Sequence, residues 1–189
     1  MNRVAIFIDG GYMADILRKY FGKARIHYGL FAKWVAADME IFRTYYYDCL
    51  PYQSPTPTLE EAKRFSSKQK FLSIIDQLER FKVRTGKLEF RGIDKDGNPI
   101  FIQKLIDMMI GIDITLLSVK RAITHIAIIS GDSDFIPAIK VAKDEGVLVK
   151  LFHGPKNTFH DELWKEADER REITQDVIES ITMKKYSLV

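Results

Sequence analysis

Four aspartates carry the chemistry open to this chain. Asp9 closes the apolar run Arg3-Val4-Ala5-Ile6-Phe7-Ile8, and Asp132 and Asp134 follow the run His125-Ile126-Ala127-Ile128-Ile129 through Ser130-Gly131. Asp107 stands near the start of a second apolar stretch, Lys104 to Lys120. Carboxylates gathered without a Cys/His cluster offer only oxygen ligands, which suits a hard cation, Mg²⁺ or Mn²⁺, and with it phosphate chemistry. One or two ions held by Asp9, Asp107, Asp132 and Asp134 would activate a water, neutralise a phosphodiester and stabilise the leaving oxygen; paired ions in such sites lie about 3.5–4 Å apart. Each aspartate taken alone also reads as a helix cap. The turn Ser130 to Asp134 offers four capping side chains where one suffices. Neither a P-loop nor the glycine fingerprint of dinucleotide-binding folds occurs.

Positioning these residues is the task of the apolar runs. Apolar side chains at consecutive positions predict strands covered on both faces, hence a parallel sheet between helices and an α/β fold. In such a sheet ligands bind beyond the carboxyl ends of the strands, where both runs deliver their carboxylates. Gly10-Gly11 permits a tight turn into a helix from Tyr12 to Tyr20. The stretch Lys104 to Lys120 is apolar nearly all round and is expected to be a buried helix. Asp107 lies at its amino end, facing the rim. Asp113, six positions on, falls roughly 240° around the helix, so it supports the site from a distance or pairs with a lysine or a backbone amide.

The remaining chain supplies walls and surfaces. A helix near Leu30 to Met39 leads to a strand from Glu40 to Tyr47, whose tyrosines 45–47 either stack on unpaired bases or pack against helices. Thr58-Leu59-Glu60-Glu61 has the form of a capping box opening a long helix, with Leu59, Ala62, Phe65, Leu72, Ile75 and Leu78 on its apolar face. Lys63, Arg64, Lys68 and Lys70 fall mostly off that face and either hold phosphates or form a solvated surface; Lys104 would lie nearer the site. Val83 to Gly92 and Ile100 to Gln103 predict a β-hairpin around Asp94-Lys95-Asp96-Gly97-Asn98-Pro99, whose resemblance to a calcium loop lacks the closing glutamate. Gly146 to Phe152 completes a strand-helix-strand unit, a short helix begins near Thr158, and a charged helix is expected from Asp168 to Ile181. His27, His125, His153 and His160 show no ligand spacing.

With 189 residues and 46% hydrophobic composition, one α/β domain with a sizeable core is expected. A net charge of +3 from 29 basic and 26 acidic residues is too balanced for global charge to imply nucleic acid. The single Cys49 and the absence of a signal segment point to a reducing, cytoplasmic setting, and no run is long enough to span a bilayer.

Phe7-Ile8-Asp9-Gly10-Gly11, Gln103-Lys104-Leu105-Ile106-Asp107 and Ile129-Ser130-Gly131-Asp132-Ser133-Asp134-Phe135 together resemble, in order and spacing, the NYN domain of the PIN-like nucleases, in particular its bacterial LabA-like branch. The resemblance covers roughly residues 2–152. It implies a three-layer PIN-like, Rossmannoid fold with a mainly parallel sheet, helices on both faces and an inserted β-hairpin. Residues 1–166 would form the NYN domain and 167–189 a C-terminal helical extension. It further implies a Mg²⁺- or Mn²⁺-dependent ribonuclease whose acidic site is Asp9, Asp107, Asp132 and Asp134. Ser130 and Ser133 would hold the cluster or a water by hydrogen bonds. The expected partner is single-stranded RNA, with no membrane and with homodimer formation open. Tyr12 stands where the family often has Asn, and Leu105, where it usually has Gly, narrows the approach to Asp107. Two rival readings are a non-catalytic RNA- or protein-binding regulatory module using the same pocket, and a phosphohydrolase acting on small molecules.

Overall fold

In the computed structural model, which describes residues 2–97 and 99–183, the strand β1 (Arg3–Asp9) lies at the centre of a seven-stranded sheet. Val4 to Ile8 are all essentially inaccessible to solvent, as a strand covered on both faces requires. Alternate residues serve opposite layers. Val4, Ile6 and Ile8 pack with α1 (Gly10–Tyr20), α2 (Tyr28–Ala36), α3 (Leu59–Asp76) and α7 (Gln175–Ile181), whereas Ala5 and Phe7 pack with α4 (Ile106–Val119), α5 (Ile136–Asp144) and α6 (Asp161–Glu166).

From β1 the chain builds outward in two directions. The first is β2 (Glu40–Cys49), β3 (Phe81–Ile93) and β4 (Pro99–Lys104); the second is β5 (His125–Ile129), β6 (Leu148–His153) and β7 (Glu169–Glu172). Every pairing is parallel except β3 with β4, which form an antiparallel hairpin. The order therefore reverses between β1 and β5, and the crevice beyond the ends of those two strands is the switch point where such sheets bind ligands. Asp9 and the segment after Ile129 sit at that crevice.

Three expectations are corrected, and of the two readings of tyrosines 45–47 the packing one is met. The charged helix from Asp168 to Ile181 begins instead as the edge strand β7, joined to β6 in parallel register, and only Gln175–Ile181 is helical, capped by Thr174. Four charged, exposed residues give no apolar signal for a strand; the backbone edge of β6 selects it. The long helix α3 does form with its capping box, but of its expected apolar face only Leu72 and Ile75 are buried, and Leu59 is 93% exposed. Its amino-terminal half stands clear of the core. Tyrosines 45–47 are all buried in the sheet and offer no face to a base. Finally, α4 is buried on one side only: Ile106, Ile110 and Ile114 face the sheet, while Met108, Ile112, Leu116 and Val119 are exposed. In the β3–β4 turn, Asn98 lies outside the described residues. No helix among the described residues is long and apolar enough to cross a membrane.

Candidate metal centre

Three of the four aspartates converge. Oxygens of Asp107, Asp132 and Asp134 all lie within 4.8 Å of one another, and none of the three carboxylates is ion-paired with a described residue. Each arrives by a different local device. Asp107 sits in the first turn of α4, where the amino end of the helix favours negative charge. Asp132 caps the single 3-10 turn Ser133–Phe135, accepting a hydrogen bond from the Asp134 amide at 3.0 Å, and so fixes Asp134 beside it. The capping reading is therefore true of Asp132, and capping leaves its second oxygen free.

Asp9 stands on the flank of this trio. One of its oxygens accepts the Tyr12 amide at 3.0 Å and caps α1; the other accepts the Ser130 hydroxyl at 3.2 Å. Ser130 Oγ in turn accepts the Asp132 amide at 3.3 Å, so this buried serine ties the ends of β1 and β5 together. Burial pushes the Asp9 carboxyl above its ordinary range, against the hydrogen bonds that pull it down; the charge of Asp48 adds to the rise. Asp107 is also raised, first by desolvation and then by the charges of Asp132, Asp9 and Asp134. An oxygen-only donor set whose members repel one another fits a divalent hard cation such as Mg²⁺ or Mn²⁺.

The cleft that Asp9, Asp107 and Asp132 line has a volume of about 570 Å³ and is walled by Tyr12, Asp15, Ile106 and the loop from Asn157 to His160; Asp134 stands exposed beside it. Tyr12 pins that loop: its hydroxyl accepts the Gly154 amide at 2.8 Å and lies 3.0 Å from Thr158 Oγ1. Gly131 permits the close approach, since a Cβ there would stand 2.2 Å from the Thr158 carbonyl oxygen. Ser133 Oγ lies 3.1 Å from His160 Nδ1, which places both at the lip of the cleft. Leu105 does not wall it. That residue has φ of 77°, the left-handed region that favours glycine, and its side chain is 47% exposed on the outward side of α4.

Asp113, expected to support the site, is turned away from it. It accepts a hydrogen bond from the buried Tyr47 hydroxyl at 2.7 Å and a two-point ion pair from Arg84 at 3.1 and 3.2 Å. The basic residues divide three ways. Lys63, Arg64 and Lys68 line an open groove between α1 and α3, together with Arg18 and Lys23; Lys68 also pairs with the buried Asp48. Lys70 is exposed and outside that groove, and Lys104 pairs with Glu89 at 2.8 Å. Sequence reasoning missed Asp48, Asp15 and His160. Asp48 is foreseeable as the last carboxylate of β2, whose neighbour Tyr47 is in register with Asp9; nothing local marks His160 as a wall.

Fold and crevice together define a three-layer α/β domain with an acidic site at its switch point. The chain belongs to the NYN domain family, whose model matches residues 3–174 and which lies within the nuclease superfamily. Its fold is similar to the crystal structure of a protein of unknown function, VPA0982, from Vibrio parahaemolyticus RIMD 2210633, at TM-score 0.66 and 17% identity, covering 96% of each chain. No curated protein matches the chain.

Proposed function

We propose that this protein is a metal-dependent ribonuclease of the LabA-like branch, hydrolysing phosphodiester bonds in single-stranded RNA in the cytoplasm. The observation that carries the reading is the unpaired carboxylate trio, Asp107, Asp132 and Asp134, beside a cleft lined by Asp9, Asp107 and Asp132 at the switch point of an NYN fold. These three, with Asp9 beside them, would hold Mg²⁺ or Mn²⁺, and a bound ion lowers the pKa of water and neutralises charge on the phosphate. The chain's own groups do the rest. Ser130 holds Asp9 and the Asp132 amide in place, so the carboxylates keep their mutual orientation before the ion arrives. Ser133 and His160 at the lip are placed to steady a water or a phosphate oxygen. Lys63, Arg64 and Lys68, joined by Arg18 and Lys23, offer a basic groove on the far side of α1 to the RNA backbone.

The test is a cleavage assay on labelled single-stranded RNA, duplex RNA and single-stranded DNA with Mn²⁺, Mg²⁺ or excess EDTA. Cleavage of single-stranded RNA is expected only with metal. Asp132→Asn should lower turnover at least ~10²-fold, the size of a lost electrostatic group. Equal cleavage in EDTA, or near-wild-type turnover in folded Asp132→Asn, would sink the proposal.

A further inference from the structure

Among the described residues sixteen large hydrophobic side chains are exposed, and ten of them lie in one stretch between Phe90 and Val119. Five are on the hairpin: Phe90, Ile93, Ile100, Phe101 and Ile102, with Phe90 and Phe101 directly opposite in register. Five are on or just before α4: Leu105, Met108, Ile112, Leu116 and Val119, each between 47% and 66% exposed. Met108, Ile112, Leu116 and Val119 fall within roughly 80° on the helix surface, opposite Ile106, Ile110 and Ile114, which face the sheet, and Leu105 stands just before the helix as its amino-terminal cap. No charged residue interrupts that outward half. A helix that is apolar on two opposite faces has two faces to bury, and the chain covers only one of those of α4.

We infer that the second side is covered by another copy of this chain, in a two-fold dimer in which α4 packs antiparallel against the partner's α4 about an axis at Ile112. The spacing of the stripe carries this choice. Leu105, Met108, Ile112, Leu116 and Val119 are separated by three, four, four and three positions, a pattern that reads the same in both directions about Ile112. An isologous interface needs such self-complementarity. With the axis there, Leu105 meets the partner's Val119, Met108 meets the partner's Leu116, and Ile112 meets its own equivalent. Antiparallel pairing also sets the positive amino end of each α4 beside the negative carboxyl end of the other. Each hairpin, joined to the amino end of its own α4, then lies beside the carboxyl end of the partner's helix.

The α4 stripe, five side chains about half exposed at roughly 150 Å² apiece when bare, presents on the order of 400 Å². Ile100 and Ile102 point to the opposite face of the hairpin from Phe90 and Phe101, which pack around Tyr52, so one hairpin face adds two or three side chains and each partner contributes roughly 550 Å², at the low end of specific interfaces and suited to a concentration-dependent dimer. Asp107 lies roughly 140° around the helix from the centre of the stripe, so the dimer leaves both acidic clefts open. The inference is thus independent of whether the cleft cleaves RNA.

Sedimentation velocity from about 1 to 100 µM, with Ile112→Glu as the disrupting variant, is the test. The wild type should approach twice its 21.9 kDa mass within that range, and Ile112→Glu should remain monomeric while melting no lower than the wild-type monomer. Variants with one cysteine added at the surface, the native Cys49 being buried, read the geometry directly. Under mild oxidation Ile112→Cys should cross-link to itself, since helix axes 8–10 Å apart bring side chains on the axis together. Leu105→Cys should cross-link to Val119→Cys in a mixture and neither to itself. A wild type that stays monomeric at 100 µM, or a dimer unaffected by Ile112→Glu, would overturn the inference. So would a monomer whose affinity for single-stranded RNA falls on Phe101→Asp, because the apolar surface would then belong to RNA.

Discussion

Helix α4 carries two aspartates six positions apart whose surroundings are opposite. Asp113 is met by a guanidinium and a hydroxyl, with Arg84 and Tyr47 saturating both of its oxygens. Asp107 is met by other carboxylates, Asp132 and Asp134, and no described cation answers it. The same contrast recurs at the end of β2, where Asp48 is buried but paired with Lys68. A carboxylate whose partner is another side chain is built to hold the fold together. A carboxylate whose neighbours repel it weakens the fold, a cost that a bound cation would relieve. Carboxylate count along the sequence does not separate the two kinds; partners do.

The largest expected effect in stability is that of the ion. Mn²⁺ at one hundred times its Kd should stabilise the wild type by about 2.7 kcal/mol through mass action, a rise in Tm of roughly 5–10 °C at this chain length. Asp113→Ala should keep that gain in full while starting lower: stranding the Tyr47 hydroxyl and Arg84 should cost about 2 kcal/mol in metal-free protein, discounted because Arg84 is partly exposed. Thermal melts of both proteins with EDTA and with Mn²⁺ measure the two quantities together. An Asp113→Ala protein that loses its response to Mn²⁺ would erase the distinction between the two aspartates.

A smaller effect of opposite sign is expected at Asp107. Its folded carboxyl is raised above its unfolded value, so the native state holds the proton more tightly. Below the ordinary carboxylate range near pH 4 the group is protonated in both states and neutral to stability. As pH rises through the raised value, ionisation penalises the fold. Asp107→Asn removes that penalty. In EDTA it should melt higher than the wild type at neutral pH by no more than about 1 kcal/mol, since the side chain is exposed and screened, and the gap should close on acidification. Its gain from Mn²⁺ should be much smaller than the wild type's. A variant that melts lower in EDTA yet gains fully from Mn²⁺ would move Asp107 into the company of Asp113.

The least effect concerns the groove across α1 from the acidic cleft. There Lys63 and Arg64 are exposed, whereas Lys68 is committed to Asp48. Neutralising Lys63 and Arg64 should flatten the salt dependence of single-stranded RNA binding by about 0.7 log units per lost contact, read by anisotropy in the cleavage-deficient Asp132→Asn background. An unchanged slope would make this a solvated surface.

How much was legible in advance follows from the same physics. The strands β1 and β5, and with them the places of Asp9, Asp132 and Asp134, could be read from runs of apolar residues that stop at glycine and carboxylate, because burial on both faces leaves no alternation to misread. Helix caps at Thr58 and Asp9 are equally local, resting on side chains three residues from the amide they satisfy. What escaped depends on residues far apart in the chain. Asp113 finds Arg84 across 29 positions, Ser130 finds Asp9 across 121, and Tyr12 holds Gly154 across 142. Strand β7 exists because β6 presents an open backbone edge, which four charged residues cannot announce. The sequence of α4, apolar nearly all round, predicted burial on every side; only the tertiary structure decided that the sheet covers one side and leaves the other exposed, because a single layer of helix can meet the sheet along one stripe alone.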